Sequence, residues 1–115
     1  MEKLEQYKIH LGAIKGYMTD NDATEGIVSL DEKTISELDK VVLDLSTYLE
    51  SAEKFGFKFH DVMNCRNAVK SIARHEKVGG AYLTDLIRAI GVYQQMKREF
   101  PFKFDLKQGP EEGLY

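Results

Sequence analysis

Four basic side chains in the middle of the sequence have a spacing that suits anion binding. Arg66, Lys70, Arg74 and Lys77 follow one another at intervals of four, four and three residues, so a helix would align them on one side. Like charges in such a row repel one another by roughly a few tenths of a kcal/mol per pair unless anions lie opposite them. This basic stripe is therefore predicted to face the acidic side of another helix, an acidic protein or phosphate groups.

The histidines and the single cysteine have no spacing typical of a metal site. None of His10, His60 and His75 follows a glutamate by three residues, and no His-x-x-x-His or Cys-x-x-Cys pair occurs. Cys65 falls on the apolar side of a predicted helix, where a lone cysteine is more often a small core residue than a nucleophile. We therefore expect a protein that is not an enzyme and has no metal or cofactor.

One short segment resembles a known catalytic motif. Arg66-Asn67 followed by His75 resembles the motif of the helical HEPN ribonucleases, in which an arginine and a polar residue precede a histidine. The spacing is longer here than in that family, and the resemblance covers ten residues. Because of this departure, no ribonuclease activity is carried over to the chain.

Length and composition predict one cytoplasmic domain. A chain of 115 residues that is 43% hydrophobic is long enough for one packed core, which we place in residues 1–106, with 107–115 as a mobile tail. A single cysteine cannot form an internal disulfide, as is usual in a reducing compartment. No long apolar run or signal peptide is visible, so no membrane contact is expected.

The net charge of −3 conceals an asymmetry between the two halves of the chain. Residues 1–56 hold 6 basic and 12 acidic residues, whereas residues 57–115 hold 10 basic and 7 acidic residues. The second predicted helix carries the most acidic surface. The two halves can therefore pair within one molecule or between neighbouring molecules.

The first predicted helix, residues 2–19, is apolar on two sides. Its inward side repeats at helical spacing, through Leu4, Tyr7, Leu11, Ile14 and Met18. About half a turn away lies a second row of small or apolar residues: Ile9, Gly12, Ala13 and Gly16. A glycine inside a helix costs about 1 kcal/mol relative to alanine, which suggests close approach of another helix. That helix belongs either to the same bundle or to a second copy of the chain; the remaining alternative is that the two glycines are simply tolerated.

Three further helices complete the predicted fold. They run from Ser29 or Thr34 to Phe55, from Lys58 to Lys77, and from Gly79-Gly80 to Phe100, with residues 20–30 as the longest loop. The sequence thus predicts an all-α protein, an antiparallel four-helix bundle with a short extended C-terminal tail. In that tail Phe102, Phe104 and Leu106 alternate with other residues, which favours either a strap along the bundle or docking on a partner.

Two functions are compatible with these patterns. The first is a protein-interaction module that self-associates and acts as an adaptor, inhibitor or accessory subunit. The second is a helical subunit that binds nucleic acid without sequence preference through the basic stripe. The sequence pI of 5.6 and the lack of aromatic residues interleaved with the stripe favour the first.

Overall fold

Five helices and one pair of short strands make up residues 2–100, the part of the chain that the computed structural model describes. In chain order they are α1 (Lys3–Asp20), β1 (Glu25–Ile27), α2 (Glu32–Thr47), α3 (Leu49–Glu53), α4 (Phe59–Ala73), β2 (Lys77–Gly79) and α5 (Gly80–Glu99). The predicted helical class is confirmed. The predictions for Phe102, Phe104, Leu106 and the mobile tail 107–115 lie outside the described residues.

Helix α5 is the element around which the other long helices are arranged. It packs against α1, α2 and α4, and α4 also packs against α2. Its buried side chains lie on several sides of the helix: Leu83, Leu86, Ala89, Ile90, Val92, Tyr93 and Met96. Each large aliphatic side chain buried in this way contributes roughly 1.5–3 kcal/mol. Because α1 and α4 each pack one side against α5, each exposes another side to the solvent.

Helix α1 packs on α5 through the side that the sequence predicted. Leu11 and Met18 are buried, while Leu4, Tyr7 and Ile14 are partly buried against the core. The second row of small and apolar residues does not pack against any part of the described chain. The interpretation that this row is buried inside its own bundle is therefore wrong.

Helices α1, α3 and α4 are each followed by a residue with left-handed backbone geometry. Asp22, Gly56 and His75 have φ angles of 54°, 81° and 57°. In each case the next amide N–H donates to a carbonyl five residues earlier: Ala23 to Met18, Phe57 to Ala52 and Glu76 to Ser71. This is the Schellman arrangement, which satisfies carbonyl groups left free at a helix end. Helix α4 therefore ends at Ala73, and its predicted extension to Lys77 is wrong.

The two strands pair where the sequence predicted a loop and a helical hairpin. β1 and β2 are antiparallel, with Glu25 opposite Gly79 and Ile27 opposite Lys77. The Gly80 amide extends the pairing by donating to the Thr24 carbonyl at 2.9 Å. The prediction of a loop over residues 20–30 is thus corrected for β1, and Gly79-Gly80 joins a strand to α5 rather than two helices.

The second predicted helix is interrupted and begins at a different cap. Asp31 is the N-cap of α2, because its carboxylate accepts a hydrogen bond from the Thr34 amide at 2.8 Å. The predicted caps Ser29 and Thr34 are therefore wrong. At Tyr48, with φ −111° and ψ 44°, the backbone leaves helical geometry and α3 begins.

Candidate interaction surfaces

The outward side of α1 presents apolar groups to solvent. It consists of Ile9, Gly12, Ala13, Gly16 and Tyr17, all of them exposed, and we call it the outer face of α1. Ile9 and Tyr17 are 54% and 71% exposed. A Cβ atom added to either glycine would meet no atom within 4 Å. Nothing in the described chain thus needs glycine at these two positions.

The glycines of the outer face therefore lack a structural role within residues 2–100. Gly12 and Gly16 are four residues apart, so they lie one above the other on the helix surface. Their lack of side chains leaves a shallow strip of exposed backbone beside Ile9. Each glycine lowers helix stability by roughly 1 kcal/mol relative to alanine. A neighbouring helix that approaches closely would account for their presence, because it needs the room that the missing side chains leave.

The basic stripe is only partly assembled. Arg66 and Lys70 lie on α4, Arg74 is the first residue after it, and Lys77 lies on β2. All four side chains are exposed, but they do not form one helical row as predicted. The reason is the left-handed turn at His75, which sends the chain away from the helix axis before Lys77 is reached.

The acidic residues of α2 do not neutralise these cations. Among residues 2–100, none of the four lies within 4.0 Å of a carboxylate. Two of the α2 carboxylates have other partners instead: Glu37 accepts from the Tyr7 hydroxyl, and Asp44 from the Tyr93 hydroxyl at 2.7 Å and Lys40 at 2.9 Å. The interpretation that the basic stripe pairs with α2 is therefore wrong, and within the described part of the chain these cations have no carboxylate partner.

Apolar side chains accompany the two cations that remain on α4. Phe59, Met63, Arg66 and Lys70 are spaced by four, three and four residues, which places them on one side of the helix. Phe59 is 59% exposed. On α2, Leu43 faces Arg66 across a recess and is 63% exposed. We call these five residues the α2–α4 surface. The sequence interpretation missed Phe59 and Leu43. The only indication in the sequence was that each is an apolar residue outside the repeat of buried positions on its helix.

A recess lies between the two helices of this surface. It has a volume of about 240 Å³ and is lined by Asp39, Val42, Leu43, Ser46 and Arg66. One wall therefore carries a carboxylate and an exposed leucine, and the other a guanidinium. The recess could hold a single side chain of a docked helix.

A network of polar groups fixes the start of α4 against α5. Asp61, only 8% exposed, accepts from the Lys58 amide at 2.9 Å and lies 3.6 Å from the Arg88 guanidinium. Arg88 also pairs with Asp85 at 3.0 Å and lies 5.2 Å from the centre of the Phe57 ring. Each of these groups contacts another part of the fold, so the network positions α4.

The candidate groups for catalysis are not brought together. Burial raises the pKa of the Cys65 thiol to about 12, with smaller contributions from Asp85 and Asp61, so the reactive thiolate is not formed near neutral pH. Arg66 lies within α4, whereas His75 follows the end of that helix. Within residues 2–100, no three histidine, cysteine, aspartate or glutamate side chains cluster as a metal site requires.

A cleft of about 410 Å³ between α1 and α5 is a weaker candidate site. Its charged groups largely satisfy one another, because Lys8 lies 3.2 Å from Glu5 and Arg88 is held by Asp85. Gln94 donates to Glu5 at 3.1 Å, and this hydrogen bond, with Lys8, lowers the pKa of that carboxyl group. The cleft thus offers few free groups to a ligand.

Comparison with known protein families, with curated proteins and with solved structures gave no match. Within residues 2–100, no helix has both the length and the apolar character needed to cross a bilayer.

Proposed function

We propose that this protein is an interaction module without enzymatic activity, which self-associates through the outer face of α1. It would act as an adaptor, an inhibitor or an accessory subunit. The supporting observation is that Ile9 and Tyr17 are largely exposed beside two glycines that no contact within residues 2–100 requires. Exposed apolar groups arranged in this way are typical of an interface.

The outer face of α1 is complementary to a second copy of itself. In an antiparallel pair centred between Gly12 and Ala13, Ile9 of one molecule lies opposite Gly16 of the other. The contact occurs twice because the pair has two-fold symmetry. A large side chain against a glycine lets the backbones approach closely, and Tyr17 adds apolar area at each edge.

The proposed contact is small, so the association should be weak. Stable interfaces bury roughly 1,200–2,000 Å², and α1 supplies one face of 18 residues. We therefore expect a dissociation constant on the order of micromolar. Such an interface suits a protein that exchanges partners.

The remainder of the fold would serve as a scaffold. We take the four longer helices as an antiparallel four-helix bundle that keeps α1 rigid and its outer face exposed. A free cysteine in the core suits a reducing compartment, and we place the protein in the cytoplasm. Binding of nucleic acid by the basic stripe has less support, because Arg74 and Lys77 lie outside α4.

Replacing Gly12 with leucine tests this proposal. The new side chain would occupy the strip on which the second helix rests, so the dissociation constant should rise by at least about tenfold. Sedimentation equilibrium over a range of concentrations measures this change. Helicity should be retained, because a Cβ at this position meets no atom within 4 Å and leucine favours helix.

The matched control is Gly91→Leu in α5, another helical glycine whose added Cβ would meet no atom within 4 Å. This variant should associate like the parent chain, since Gly91 lies away from the outer face of α1. A Gly12→Leu protein that associates as tightly as the parent would remove α1 from the interface.

A further inference from the structure

We infer that the α2–α4 surface docks an acidic amphipathic helix of a different protein. This surface lies on other helices than the proposed self-association face. A partner could therefore bind each copy of the chain whether or not the copies are paired.

The charge of α4 selects an anionic partner. The only carboxylate on α4, Asp61, turns inward to the Lys58 amide and Arg88. Its outward charges are Arg66 and Lys70, and neither is within 4.0 Å of a carboxylate in the described chain. These two cations, one turn apart, would each donate to a carboxylate of a helix that runs alongside.

The apolar part of the surface selects an amphipathic partner. Phe59 lies two turns before Arg66 on the same side of α4, and Leu43 lies across the recess from Arg66. A docked helix could bury both side chains with its apolar residues and pair its acidic residues with Arg66 and Lys70. This combination corresponds to recognition of a helix in a groove.

The Asp39 carboxylate adds a restriction on the partner's sequence. It lines the same recess as Arg66, and no ion pair joins the two among residues 2–100. An acidic residue of the partner beside Asp39 would be repelled, whereas a lysine or arginine would be attracted. The partner's charges should therefore be mainly acidic with one basic residue at this end, which also fixes the direction of the bound helix.

A protein helix fits these features better than a nucleic acid. Only two cations remain aligned on α4, whereas binding of a phosphate backbone draws on a larger group of cations. Leu43 cannot stack on a base, and Asp39 would repel phosphate. Binding of a nucleic acid is thus an alternative outcome for the experiment to detect.

The test uses the full chain labelled with ¹⁵N and three probes. The first is a synthetic amphipathic helix of about five turns with leucines on one side, glutamates elsewhere and one lysine near one end to lie beside Asp39. The second is the same peptide with lysines replacing the glutamates, and the third is a single-stranded oligonucleotide. Each is titrated at low salt while amide shifts are followed, in the parent chain and in the Gly12→Leu variant.

We expect the acidic peptide to shift amide signals in residues 59–70 and around Leu43, in both backgrounds, and the lysine peptide to leave them unchanged. Arg66→Glu combined with Lys70→Glu should weaken binding of the acidic peptide at least about tenfold. Lys33→Glu combined with Arg98→Glu, which changes net charge equally at other exposed positions, should change affinity less than about twofold.

Four results would overturn the inference. They are no binding of the acidic peptide up to its solubility limit, shifts that map to another surface, equal losses in the two double variants, and binding of the oligonucleotide in place of the peptide. Self-association is measured separately by sedimentation. If the chain proves not to self-associate, the peptide titration can still be interpreted.

Discussion

Leu45→Ala is expected to lower the free energy of unfolding by about 3 kcal/mol. Leu45 is completely buried on α2, in the core that α2 shares with α4 and α5. Truncating the leucine side chain loses the free energy that its removed atoms gain by leaving water. It also leaves a cavity that the packed helices fill only in part. Since small domains have roughly 5–15 kcal/mol of stability in total, this one change should remove a large share.

The measurement is guanidinium unfolding followed by circular dichroism, at a protein concentration low enough to keep the chain monomeric. The control is Leu43→Ala, two residues earlier on the same helix. Because Leu43 is 63% exposed, this variant should stay within about 0.5 kcal/mol of the parent. Equal losses in the two variants would mean that α2 packs with a different side inward.

Phe57→Ala is expected to cost about 3–5 kcal/mol. The Phe57 ring is fully buried although the residue belongs to the short connection between α3 and α4. Gly56, with φ 81°, turns the chain so that the ring enters the core, and the Arg88 guanidinium lies over it. Alanine here would leave a cavity and remove the aromatic contact of Arg88.

Phe59→Ala is the matched control, because it deletes the same ring two residues later at a position that is 59% exposed. Its stability should change by less than about 1 kcal/mol, as measured by the same unfolding experiment. A Phe59→Ala protein that loses more stability than Phe57→Ala would contradict burial of the Phe57 ring in the core.

Much of the helical structure could be predicted because it is encoded locally. The spacing of Leu4, Leu11 and Met18 identifies α1 and its inward side without any knowledge of its neighbours. The same holds for the buried repeats of α4 and α5. Gly56 was recognised as a helix end because glycine is the usual residue with positive φ.

The rest depends on features that local sequence does not reveal. His75 takes a positive φ without being glycine, so the true end of α4 was missed, and with it the position of Lys77. The paired strands have three residues each and lie about fifty residues apart, too short for a periodic signal and too distant for a turn signal.

The candidate surfaces were predictable only as lists of residues. The sequence identified Ile9, Gly12 and Gly16 as a row but left open whether the same molecule covers it. It also left open whether acidic residues of α2 neutralise Arg66 and Lys70. Both questions concern how one helix packs against another. The spacing of apolar residues within a single helix does not contain that information.

The most direct test of the α1 interface is oxidation of an Ala13→Cys variant. Ala13 is exposed near the centre of the outer face, so in either a parallel or an antiparallel pair it lies near Ala13 of the second molecule. The native Cys65 is buried with its pKa raised to about 12, so it should not react. The control is Lys70→Cys on α4, which introduces an exposed thiol away from this face.

Under mild oxidant at equal concentration, covalent dimer is measured over time by non-reducing electrophoresis. Ala13→Cys should form a disulfide dimer at least about tenfold faster than Lys70→Cys, because a disulfide needs Cα atoms within about 7 Å and the glycines permit that approach. Equal rates for the two variants would contradict self-association through the outer face of α1.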